Sequence, residues 1–179
     1  MKVRISAGGY QFVAETNLDA PKTVAAFAKL LPYRQKIIHV RWSGEGCWVP
    51  LGDWVLEHEG KPLSFENATS HPAPGDILFY PGGYSETEII MAYGACCFAS
   101  KLGQLAGNHF LTVVEGRENL RALGVKVLWD GASDRSQALS AGPTRAPAGA
   151  HICAHLTALP WPASKSLTFA RSWQTGFGL

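Results

Sequence analysis

The sequence predicts a mainly β protein, a closed barrel of about eight strands with two or three short covering helices. Three observations lead there. Short strand-like runs recur along the first 134 residues, glycine- and proline-containing turns separate them, and the few helical stretches show no regular βαβ rhythm. Closure would remove the exposed edges that many short strands otherwise present.

The elements follow in order. Val3-Arg4-Ile5 and the run Gln11 to Thr16 flank Gly8-Gly9, the spacing of a β-hairpin with a short glycine loop. Pro21 suits the first turn of a helix, Val24, Phe27, Ala28 and Leu31 share one face of it, and Pro32 stops it. Strands are expected at Lys36 to Trp42, Gly46 to Pro50, Asp76 to Tyr80, Glu88 to Tyr93, Phe110 to Glu115 and Val125 to Trp129. Cys97 to Gly107 and Arg117 to Leu123 have helical spacing, the second ending at Gly124 as a C-terminal cap.

At 179 residues, 46% hydrophobic and 17% charged, the chain has the length and composition of one globular domain. It lacks the apolar run of a membrane span and the signature of a signal peptide, so a cytoplasmic protein with no membrane partner is expected. All fourteen acidic residues lie at or before Asp134, whereas Arg135 to Leu179 holds four basic residues and no acid. The slight basic excess therefore belongs to the tail, and no nucleic-acid partner is expected. That tail draws 22 of its 45 residues from Ala, Pro, Ser and Gly. The division is a barrel domain over 1–134 and a flexible tail over 135–179, with docking of Trp161, Phe169 or Trp173 as the alternative. On this reading a chain ending at Asp134 melts within a few degrees of full length.

Cys47, Cys96, Cys97 and Cys153 form no CxxC pair, and His39, His58, His71 and His109 have no HxH or HExxH spacing, so no metal site is expected. Neither GxGxxG, GxxxxGK[ST] nor GxSxG occurs, so no cofactor is expected.

Ile38 to Asp53, IHVRWSGEGCWVPLGD, looks most like a ligand cleft. Arg41 offers a permanently charged planar fork suited to a carboxylate or polarised amide oxygen. In an extended strand His39 would share its face. Glu45 and Glu86 are turn-borne carboxylates that could act as general bases, His109 sits at a junction before a strand and could exchange protons near neutrality, and Trp48 and Tyr84 offer aromatic walls. Arg41, Glu45, Glu86 and His109 are the catalytic candidates, and Arg41, Trp48 and Tyr84 the ligand-binding ones. Cys47, beside Trp48, reads as an apolar filler or a nucleophile activated by a cation.

With the helix opening APKTVAAF, the stretches HVRWSGEGCWVPLGD, PGDILFYPGGYSETEI and FASKLGQLAGNHFLTVVEG resemble a family of small bacterial cyclophilin-like proteins of unknown function. The resemblance spans roughly Lys2 to Asp134 and implies a cyclophilin-like barrel. True cyclophilins place a catalytic arginine after a Phe-His pair and a glutamine before the Gly-Asp turn. Here Ile38-His39-Val40-Arg41 is one residue longer, and Trp48 to Leu51 contains no glutamine. The expected function is binding of a small carboxylate- or amide-bearing metabolite at Arg41, with hydrolysis or isomerisation as an extension. A non-catalytic partner-binding module and a peptidyl-prolyl isomerase are the alternatives. Homo-oligomerisation is left open.

Overall fold

The structure is a computed structural model and describes residues 1–130 and 153–159. The strands Lys2–Ala7 (β1) and Tyr10–Thr16 (β2) form the expected hairpin, whose loop glycines Gly8 and Gly9 adopt φ of 58° and 89°. Helix α1 covers Pro21–Ala28. Its cap residue Ala20 has no side-chain acceptor, and the carboxylate of Glu66 takes that role from a distant loop, accepting the amides of Lys22 at 3.0 Å and Thr23 at 2.9 Å. Strands β3 (Tyr33–Lys36), β4 (Ile38–His39), β5 (Gly44–Gly52), β6 (Glu57–His58), β7 (Lys61–Pro62), β8 (Ala68–Thr69), β9 (Asp76–Tyr80), β10 (Thr87–Cys96), β11 (Ala99–Ser100), β12 (Gly103–Gln104) and β13 (Gly107–Glu115) follow, then helix α2 (Leu120–Asp130) and β14 (Cys153–Ala158).

Ten strands make one antiparallel sheet in the order β3-β14-β1-β2-β13-β9-β10-β5-β4, with β8 beside β13. Residues at every second position turn inward, so Ile5, Phe12, Val49, Phe79, Met91, Phe110 and Leu156 share one core, closed at one end by Phe27 of α1. The Phe27 ring meets Phe110 edge-on at 5.0 Å. On the outer face of β9 and β10, a second core joins Leu78, Tyr80 and Ile90 to Val40, Phe98 and Leu105.

Four expectations need correction. The sheet is not closed into a barrel, because among the described residues no ladder joins its end strands β3 and β4. Those two strands are consecutive, separated by Ile37 alone, and β3 pairs with β14 while β4 pairs with β5. Cys97 to Gly107 is not helical. It contains the hairpin β11–β12, turned at Lys101-Leu102 with Gly103 (φ 129°) opening the second strand, and held over the second core by Phe98 and Leu105. Val125 to Trp129 is not a strand. Helix α2 runs through Gly124 because that residue is a point of contact and not a cap: a Cβ there would lie 2.4 Å from the Tyr93 ring. Finally, β14 comes from the segment assigned to a tail, yet it pairs with β1 on one side and β3 on the other. The ladder supplies what the composition of that segment does not. Trp161, Phe169 and Trp173 lie outside the described residues.

Candidate functional site

Strand alternation builds the floor of a cleft of about 440 Å³ on the outer face of β5 and β10. Cys47 and Val49 point into the main core, so Trp48 and Pro50 point out. On β10, Ile89 and Met91 point in, and Glu88 points out between its ladder partners Pro50 and Tyr80.

Two pinned segments make the walls. Past the end of β4 the chain bends, bringing Arg41 and Trp42 to the cleft. Ser43 holds this bend to the β11–β12 hairpin. Its hydroxyl donates to the Ala99 carbonyl at 3.0 Å and accepts the Ala99 amide at 3.1 Å, and its carbonyl accepts the Cys97 amide at 2.9 Å. The hairpin contributes Ser100 and Lys101. On the opposite side, the Tyr80 hydroxyl accepts the amides of Tyr84 and Ser85 at 3.1 and 3.3 Å, and Gly52 donates its amide to Glu86 Oε2 at 3.2 Å. Ser85 and Glu86 are thereby fixed at the rim.

The most unusual group is Glu88, 7% exposed. No cation pairs with it among the described residues. Burial, reinforced by the neighbouring Glu86 charge and only partly offset by the Trp48 indole, pushes its carboxyl up to about 8. The indole N–H is buried and makes no well-formed hydrogen bond, so the offset is a weak dipolar one. Arg41 and Lys101 enter no ion pair with any described residue. The cleft therefore presents two uncommitted cations and an acid that holds its proton at neutrality.

Of the residues singled out in the sequence, Arg41, Trp48 and Glu86 meet in this cleft. Tyr84 stands beside it and donates its hydroxyl to the Leu102 carbonyl at 2.6 Å, bridging the turn to the β11–β12 hairpin. Glu45 is elsewhere. It accepts the Ala95 amide and the Arg121 guanidinium, each at 2.9 Å, and the Ala95 amide is the main reason its carboxyl lies below the usual range. His109 also lies outside the cleft, with Nε2 2.7 Å from the Thr112 hydroxyl and 3.2 Å from Asp76 Oδ1. His39 does not accompany Arg41, since β4 ends at His39 and its ring turns to the Tyr93 hydroxyl at 2.8 Å. Cys47 is sealed in the core, and desolvation pushes its thiol up to about 12, far from a nucleophile's range. Among the described residues no three His, Cys, Asp or Glu side chains gather as a metal site.

Sequence reasoning missed Glu88 and Lys101. A signal for Glu88 existed: an acid that opens the otherwise apolar strand run Glu88 to Tyr93 must be paired, exposed or protonated.

Residues 3–139 match the family described as "Protein of unknown function (DUF3830)". No curated protein matches the chain. Among solved structures it is similar to McbB in complex with tryptophan, with a TM-score of 0.60 and 16% identity over 91% of this chain and 46% of that one. The chain thus spans about half the length of McbB, and at this identity the likeness is one of fold. No helix of the described residues is long and apolar enough to cross a membrane. With the match extending over most of its length, the chain belongs to the DUF3830 family.

Proposed function

We propose that this protein binds a small carboxylate- or amide-bearing molecule in the outer cleft, on a fold of the cyclophilin-like kind, and that Glu88 is the acid–base group for its hydrolysis or isomerisation. The observation that carries this reading is the placement of the unpaired cations Arg41 and Lys101 in one cleft with a buried, unpaired carboxyl. A guanidinium and an ammonium suit an anionic or polarised oxygen. A carboxyl with its pKa near 8 can give a proton at neutrality and take one back, as general acid–base chemistry requires. The cleft volume of about 440 Å³ falls within the usual small-molecule range of about 300–1,000 Å³.

A thermal-shift screen of carboxylates and amides tests the reading. Because McbB holds tryptophan, aromatic acids and amides are sensible first probes. A ligand present at about 100 times its Kd should stabilise wild type by about 2.7 kcal/mol. Arg41→Ala should lose most of that gain. A library in which no compound shifts wild type would remove the proposal.

The interaction-module alternative has in its favour Val125, Leu128 and Trp129, exposed on α2 away from the cleft, with Trp129 79% exposed. Concentration-dependent self-association abolished by Trp129→Ser would favour it. Prolyl isomerisation is the weaker alternative, since Trp48 to Leu51 offers no glutamine, and a protease-coupled peptide assay should show no acceleration.

A further inference from the structure

Opposite charges that share a cleft ordinarily pair with each other. Here Arg41 and Lys101 form no ion pair among the described residues, and neither do Glu86 and Glu88. A ligand with one negative charge would meet Arg41 and Lys101 and leave the Glu86 carboxylate and the Glu88 carboxyl without a partner. A dianion would meet Arg41 and Lys101 but face repulsion from Glu86. A plain amine would leave the two cations without a partner.

We infer that the ligand class of this cleft is a zwitterionic amino acid with an apolar or aromatic side chain, its carboxylate on Arg41 and Lys101, its ammonium on Glu88 and Glu86. This rests on the cleft being the binding site. Trp42 supports the apolar side chain: it lines the cleft yet is 61% exposed, an indole face with little of its own chain covering it. Trp48 and Pro50 continue the apolar surface along the floor.

Proton movement follows from the same geometry. The groups around Glu88 are Glu86 from the preceding turn, Tyr80 from β9, Trp48 and Pro50 from β5, and Arg41 and Lys101 in the cleft walls. The Tyr80 hydroxyl is already engaged by two amides. An arriving ammonium supplies the missing counter-charge, cancels the effect of Glu86 and lets Glu88 ionise. The ligand nitrogen keeps its protons, the Glu88 O–H bond breaks, and that proton leaves to solvent. Binding at neutrality is thus accompanied by proton release.

The test is titration calorimetry on the full chain at pH 6.5, in two buffers of different ionisation enthalpy. The probes are L-tryptophan, L-phenylalanine and L-leucine, each with its analogue lacking the amine and its analogue lacking the carboxylate. At least one amino acid should bind about tenfold or more tightly than both of its analogues, with release of about one proton. Glu88→Gln should abolish the proton release and the advantage of the amine. Arg41→Ala should abolish the advantage of the carboxylate and keep the release.

If the deaminated acids bind as tightly as the amino acids without proton release, the zwitterion inference is overturned and the cleft reading stands. The zwitterion inference is equally overturned if only unrelated carboxylates or amides from the thermal screen bind. If nothing binds in either experiment, both fall.

Discussion

Strands β5 and β10 carry two unlike environments on opposite sides of one ladder. Inward, Cys47, Val49, Ile89 and Met91 line an apolar cavity of about 40 Å³ within the main core. Outward, Trp48, Pro50 and Glu88 floor a cleft some ten times larger that sets charged groups beside apolar ones. Burial acts on both sides and produces different chemistry. It pushes the Cys47 thiol and the Tyr33 phenol up to about 12, beyond any physiological titration. It pushes Glu88 to about 8, where a proton can be exchanged. The same desolvation is inert or useful according to where the group starts and whether solvent can reach it.

The largest expected effect comes from breaking the inner side alone. A chain ending at Asp134 loses β14 and the buried Leu156, leaving the facing edges of β1 and β3 without a partner. Large-to-small losses in a core cost about 2–5 kcal/mol, so its melting temperature should fall by about 10 °C or more. No residue of β14 lines the cleft. A transition within a few degrees of full length would show that this strand contributes little.

The outer side is sharpened by pH. The ordinary pKa of Glu88 is 4.5, and its folded value is raised to about 8. Between those values the native state holds a proton that the unfolded chain has given up, so this group's contribution to stability falls as pH rises through the window and levels off above it. Each pH unit by which the pKa is raised corresponds to about 1.4 kcal/mol. Glu88→Gln should flatten that slope and gain on wild type by a few kcal/mol between pH 5 and pH 9, measured by urea midpoints. Equal slopes would mean that Glu88 is ionised in the native protein.

Asp76 should behave in the opposite sense. Burial raises its carboxyl, but the His109 hydrogen bond, the Ala73 amide, the His109 charge and the Thr112 hydroxyl outweigh it, and the net shift is downward. Its contribution is present above the ordinary value of 3.8 and is lost as pH falls through the lower folded value. Asp76→Asn should cost about 1–2 kcal/mol at neutrality, with the cost shrinking in acid. The smallest effect is expected at the exposed Glu45–Arg121 pair, where Arg121→Ala should leave the denaturation midpoint essentially unchanged and lose even its small effect at high salt.

The parts of this molecule legible in the sequence are those decided by neighbours along the chain. The β1–β2 hairpin follows from Gly8-Gly9 and flanking alternation, and α1 from Pro21 and one apolar face. Arg41, Trp48 and Glu86 could be gathered because Arg41 and Glu86 stand in the turns that lead into the paired strands β5 and β10, and Trp48 lies on β5. What was not legible depends on distant partners. Glu45 and His109 look as available as Glu86 in sequence, but Arg121 and Asp76 already occupy them. Phe98, Leu102 and Leu105 have helical spacing, and only the second core beneath them shows that Phe98 and Leu105 bracket a hairpin. Gly124 ends nothing, since its reason is Tyr93 on another element.

The position of β14 also dictates the order in which the sheet can be completed. Val3 pairs with Ala158, so two adjacent strands are drawn from about 150 positions apart along the chain. The β1–β2 hairpin can zip locally as soon as it is synthesised, but β3 has no ladder partner other than β14 among the described residues. During synthesis the edges of β1 and β3 must therefore remain open until Cys153–Ala158 has been made, a long interval in which unpaired strand edges are exposed to other chains. The expected consequences are slow maturation and a demand for chaperone protection that lasts until β14 is in place.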